Sequence, residues 1–145
     1  MRHDPRLVEL ASYPHVRVLD TMFSDMDIQQ HVNNVAIARL FEEARSSLHR
    51  AMTDGHPDSF TSVVLARLEV HYLREVTYPS RVEIGVGTSA AGTSSWGTVA
   101  GLFQDGLCAA LAWSTQVRRS DEQSSSVALT AAERAAVDRF VVAAD

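Results

Sequence analysis

Apolar residues recur at three- and four-residue steps after Val35: Ile37, Leu40, Phe41, Ala44, Leu48 and Ala51 form one stripe. That is the period of a helix with a single buried face. Asn33 suits its N-cap, Val32 and Ile37 occupy the places of a hydrophobic staple, and Arg45 and Arg50 lie toward the end where the helix dipole favours cations. Asp54-Gly55-His56-Pro57 ends the pattern. Upstream, Val16 to Phe23 is rich in β-branched and apolar types and reads as a strand. Downstream the period falls to two. Val64, Ala66, Leu68, Val70 and Tyr72 share one strand face with Arg67, Glu69 and His71 opposite, and Val82, Ile84 and Val86 continue the alternation.

Ser95 to Phe103 and Leu107 to Val117 read as a hairpin across Gln104-Asp105-Gly106. On its second strand Leu107, Ala109, Leu111, Trp113 and Val117 face one way, while Cys108, Ala110 and Ala112 make the other face small and suited to being covered. Ser120 to Ser126 is a polar linker, and Ala131 to Ala144 reads as an alanine-rich terminal helix. A helix from Asn34 to Met52 spans about 28 Å and a nine-residue strand about 30 Å. One sheet can therefore wrap the whole helix. The expected class is α+β: one long helix wrapped by a curved antiparallel sheet.

Composition adds boundaries. A chain of 145 residues suits one domain, here 1–119 with 120–145 packed as part of it. The net charge is -5 without a basic cluster, which argues against a nucleic-acid partner. Cys108 is the only cysteine, so no intrachain disulfide and no cysteine zinc site can form; a buried structural thiol is expected. Met1-Arg2-His3-Asp4-Pro5 lacks an apolar leader region and no apolar run has membrane length. A cytoplasmic protein without a membrane partner is the expectation.

The polar chemistry gathers in Ser24-Asp25-Met26-Asp27-Ile28-Gln29-Gln30-His31-Val32-Asn33-Asn34, between the first strand and the long helix. Such a junction can set a carboxylate and helix N-terminal amides around a carbonyl. Amides there stabilise a developing oxyanion without reorganising, and a nearby carboxylate can activate water or attack directly. Asp25 reads as a structural neighbour, Asn33 as a cap with any substrate contact secondary.

Asp-x-Asp followed by His-Val-Asn-Asn at the head of an amphipathic helix, with antiparallel strands after it, resembles the hotdog-fold thioesterases of the 4-hydroxybenzoyl-CoA thioesterase type. The His-Val-Asn-Asn-Val string is also similar to the first hotdog repeat of plant acyl-ACP thioesterases. The resemblance runs from about Val16 to Arg118 and implies a single hotdog fold that hydrolyses acyl-CoA thioesters. It makes Asp27 the nucleophile or general base, and the Asn34 backbone amide the oxyanion donor. His31 would orient Asp27 or protonate the departing thiolate. In the plant pattern an Asn stands where this chain has Gln29, and a further acid falls at Glu75 in Tyr72-Leu73-Arg74-Glu75. A tyrosine often present after the Asn pair is Ile37 here.

The resemblance also places Thr93, Ser94 and Ser95 along the pantetheine arm, with Arg67, Arg74, Arg81 and Arg118-Arg119 as possible partners of the CoA phosphates. No metal and no resident cofactor is implied, CoA being part of the substrate. Exposed sheet edges call for self-association: a homodimer, or a homotetramer as in relatives, with Gly85, Gly87, Gly97 and Gly101 as a face for close packing. Two other readings stay open, an acyl-ACP thioesterase and a noncatalytic acyl-CoA binding module. The acyl pocket would involve Ile37, Leu40, Phe41 and Phe60.

Overall fold

Helix α1 runs from Asn34 to Thr53, so the apolar stripe and its N-cap correspond to a real element. The computed structural model describes residues 3–54, 56–120, 122 and 125–142. Five strands follow the expected order: β1 (His15–Asp20), β2 (Val63–Tyr72), β3 (Arg81–Ala91), β4 (Ser95–Gln104) and β5 (Leu107–Arg118). They form one antiparallel sheet in the order β1-β3-β4-β5-β2, which leaves β1 and β2 as edges. Ile37, Leu40, Phe41, Ala44, Leu48 and Met52 of α1 pack on one sheet face against Val82, Ile84, Val86, Leu102, Ala110 and Ala112. The small residues of β5 thus lie beneath the helix. This is a single hotdog fold, a long helix held against a five-stranded antiparallel sheet.

The opposite sheet face carries a second apolar cluster of Tyr13, Val99, Phe103, Cys108 and Leu111. Burial pushes the Cys108 thiol up to about 11, away from thiolate chemistry. The glycine face is filled from within the chain: a Cβ on Gly85 would lie 2.5 Å from the Tyr13 ring. Tyr13, whose hydroxyl donates to the Leu7 carbonyl at 2.7 Å, therefore takes the place expected for a partner.

Four local differences have identifiable causes. Strand β1 stops at Asp20, not Phe23, because the Thr21 amide turns to the Ser80 carbonyl and Phe23–Asp25 forms a 3-10 turn. In β2 the pairing skips Ala66: Leu65 faces Gln116 and Arg67 faces Thr115. A bulge of this kind switches faces, so Leu65 joins Leu68, Val70 and Tyr72 while Val64 turns to the other side. A second bulge at Ala109 brings Cys108 opposite Phe103 and into the outer cluster. Helix α2 covers Ala131–Arg139 rather than reaching Ala144, since the chain beyond it is captured by β3: the Val142 amide bonds the Thr88 carbonyl and the Thr88 amide the Phe140 carbonyl. Residues 143–145 lie outside the described residues.

Glu133 of α2 is fully buried and fastens this end of the molecule. It accepts from the Thr130 amide at 2.8 Å and the Phe60 amide at 2.5 Å, and lies 3.1 Å from Arg118 Nε, close enough to pair though not aligned as a hydrogen bond. Burial alone would raise its pKa, yet these amides and Arg118 outweigh burial and hold it below the usual carboxylate value. Arg118, engaged here, is not a free partner for a phosphate.

Candidate active site

The junction loop is a tight excursion closed by pairing of Met26 with Val32. Within it the Asp27 amide bonds the His31 carbonyl at 2.9 Å and the Gln30 amide bonds the Asp27 carbonyl at 3.0 Å. Gln30 closes the turn with φ of 64°, a left-handed conformation that costs a residue with a Cβ. Asp27 Oδ1 accepts from the Gln29 amide at 2.9 Å and the His31 amide at 3.3 Å. Its second carboxylate oxygen has no protein partner among the described residues, and the side chain is exposed.

Asp25 plays the other part. It is 4% exposed, accepts from the Met22 amide at 2.8 Å and pairs with Arg39 of α1 at 3.0 and 3.1 Å. Its carbonyl also receives the Asn33 amide. The first acid therefore locks the loop to the helix, and the second is left facing outward.

At the head of α1, Asn33 Oδ1 accepts from the Ala36 amide at 2.8 Å and its carbonyl from the Ile37 amide at 3.1 Å. The first two amides of the helix, Asn34 and Val35, meet no protein acceptor among the described residues. Those orphan donors carry the positive end of the helix dipole.

A cavity of about 410 Å³ opens here, lined by Asp27, Gln29, His31, Asn34, Tyr72 and Glu75 over an apolar floor of Val32, Ile37 and Val76. The segment after β2 supplies its far wall. The Val32 amide bonds the Val76 carbonyl at 2.9 Å, and Gln104 grips the same segment through the Thr77 amide at 3.1 Å and the Ser80 hydroxyl at 2.6 Å. His31 Nε2 stands 3.1 Å from Glu75 Oε2. The imidazole thus pairs with Glu75, while only the backbone of His31 bonds Asp27. Tyr72, missed by the sequence reading, lines the cavity and donates weakly to the Asn34 carbonyl at 3.4 Å. Its place at the end of a predicted strand was the available signal.

Asp27, His31, Asn34 and Glu75 are thus brought together, with Asn33 just behind as the cap. Thr93, Ser94 and Ser95 are not. Thr93 and Ser94 lie in the β3–β4 turn and Ser95 opens β4; the Thr93 carbonyl accepts from the Leu129 amide and the Ser94 carbonyl from the Arg118 amide. Of the arginines considered for CoA phosphates, Arg74 lines this cavity, whereas Arg67 pairs with Glu69 and Arg81 with Asp20. Leu40 and Phe41 are core residues, and Phe60 packs against Trp96 with tilted rings whose centroids are 4.8 Å apart, away from this cavity. Among the described residues no group of three or more His, Cys, Asp or Glu side chains could hold a metal ion.

Fold and site together define a hotdog protein with an acid-bearing loop at the head of its central helix. The chain belongs to the thioesterase-like superfamily, whose family model matches residues 22–137. An uncharacterized Bacillus subtilis protein, YsmA, is 33% identical over 85 residues, which are 59% of this chain and 58% of that protein. The chain thus spans somewhat over half the length of the curated relative it matches. A Thermus thermophilus thioesterase solved with coenzyme A and zinc is 27% identical with a TM-score of 0.77, covering 88% of this chain and 95% of that one. A Pseudomonas aeruginosa protein at 24% identity shares the fold with a TM-score of 0.79, covering 93% of this chain and 96% of the other. Among the described residues no helix is long and apolar enough to cross a membrane.

Proposed function

We propose that this protein hydrolyses acyl-CoA thioesters, with Asp27 as general base or nucleophile. The observation that carries the reading is the shared cavity: a carboxylate with one oxygen free opens onto the same space as the unpaired head of α1. Attack on a thioester moves negative charge to the carbonyl oxygen, where helix-head amides stabilise it. Asp27 Oδ1 is fixed by backbone amides, so Oδ2 is the atom that takes a proton from water or bonds the acyl carbon. The His31 imidazole, steadied by Glu75, would protonate the leaving thiolate. The coenzyme A bound by the Thermus thermophilus relative favours CoA over a carrier protein.

A second copy completes the site in this reading. Strand β2 is an unpaired edge bearing exposed Val64, Leu65, Leu68 and Tyr72, and it runs directly into the cavity wall at Tyr72 to Val76. Pairing along β2 would cover that apolar edge and close the open side of the cavity. The test is thiol release from acyl-CoA esters of short, branched, aromatic and long acyl groups, beside the same acyl groups on carrier protein. CoA esters should turn over well above background. Turnover confined to carrier-protein esters would make it an acyl-ACP thioesterase; saturable binding without turnover would make it a binding module.

A further inference from the structure

The later turns of α1, the start of β2 and the ends of β4 and β5 enclose a second cavity of about 230 Å³, which shares no residue with the candidate active site. Along α1 its lining begins at Glu42 and centres near Ser46, about 18 Å beyond Asn34 at 1.5 Å per residue. Between the two, Leu40, Phe41 and Ala44 are at most 1% exposed in the core. Within one chain the second cavity is not an extension of the first.

Its walls are apolar where Leu48, Met52 and Trp96 line it. Set among them are Thr98 and Gln116, only 5% and 8% exposed, with Ser114 beside them. Gln116 Nε2 donates to Ser114 Oγ at 2.7 Å, and the Ser114 and Thr98 hydroxyls share a short hydrogen bond. One of those two hydroxyls donates in that bond, which leaves the other's proton undirected. Gln116 Oε1 is buried and has no protein partner among the described residues. The cluster therefore holds one unpaired acceptor, itself buried, and one undirected hydroxyl proton beside the cavity, and an unpaired buried amide oxygen is costly.

The charges at the mouth cancel. Glu42 and Arg45 pair with each other, and burial, then Arg50, holds the His49 imidazole below its usual value and so neutral at pH 7. A ligand matched to these walls is neutral, with an apolar body and an end that both donates and accepts. An engineered cavity of about 150 Å³ accommodates benzene, so a single ring or branched chain with a small polar end suits this volume.

We propose that this cavity is a second binding site, taking a small neutral ligand whose hydroxyl or carboxamide end seats on Gln116 and Thr98, with Ser114 behind them. The test is calorimetric titration of the full chain with benzamide, and with toluene as its apolar counterpart. Benzamide should bind saturably and at least about tenfold more tightly than toluene, the scale of one buried hydrogen bond. Gln116→Leu and, independently, the milder Thr98→Val should each remove most of that preference, while Asp27→Asn leaves it intact. Equal affinity for the two probes, no saturable benzamide binding, or a preference untouched in both folded variants would overturn the proposal. Benzamide's effect on thioester hydrolysis separates the sources of such a group: competition with substrate marks the end of an acyl group, and an unchanged KM marks a free ligand. Either pattern, given Gln116-dependent binding, supports the site.

Discussion

In the proposed mechanism Asp27 serves the loop and the chemistry with different oxygens. Oδ1 holds the turn through the Gln29 and His31 amides, and an asparagine can keep those bonds because its carbonyl accepts in the same way. Asp27→Asn is therefore a substitution that removes the acid and leaves the turn. Gln30 shows the cost of the geometry. With φ of 64° it occupies backbone space that glycine enters freely, so Gln30→Gly is expected to raise stability by about 0.5 kcal/mol, read by urea denaturation. Gln30→Val should lower it. The local part of the site was legible because Asp27, His31, Asn33 and Asn34 are neighbours in the chain, and their helix is announced by its own period. Tyr72 was hidden because it reaches the cavity only through the pairing of β2 with β5, which no local pattern specifies.

At the level of elements, α2 is fastened by one carboxylate. Glu133 joins its own N-cap, the Phe60 amide and Arg118 in a buried site. Glu133→Gln should destabilise the fold by about 3 kcal/mol, because it leaves the Arg118 charge without its partner. The pH dependence follows from the direction of the shift. With its folded pKa below the ordinary 4.5, ionised Glu133 contributes stability at neutral pH, and this is lost as pH falls through the folded value. Chemical denaturation at stepped pH should therefore show a steeper acid decline below about pH 4.5 for wild type than for Glu133→Gln. The two bulges explain why strand faces were only partly legible. Ala66 and Ala109 each fit a simple alternation as letters, yet the ladder skips them, and a single skipped residue reverses every later side chain. The glycines did announce close packing; Tyr13 packs over Gly85 and Gly101, while Pro14, Phe140 and Val142 close over Gly87 and Ser89 over Gly97.

For the molecule as a whole, the sheet is covered by α1 on one face and partly by the N-terminal turns on the other, while β2 remains open. Leu68→Glu places a charge on that edge, next to the exposed Leu65 and Tyr72. Sedimentation should show a wild-type dimer and a variant shifted toward monomer, with hydrolysis falling in parallel. A monomeric wild type with full activity would remove the second copy from the account. The proposed chemistry is narrower than the assembly: the free carboxylate oxygen of Asp27 would drive thioester cleavage. It is tested most directly by single-turnover hydrolysis of the best acyl-CoA ester by wild type and by Asp27→Asn, after matched unfolding curves establish that both are folded. A loss of at least about a hundredfold in rate is expected, the lower range for a positioned general base; a folded Asp27→Asn protein that cleaves the ester at the wild-type rate would rule that role out.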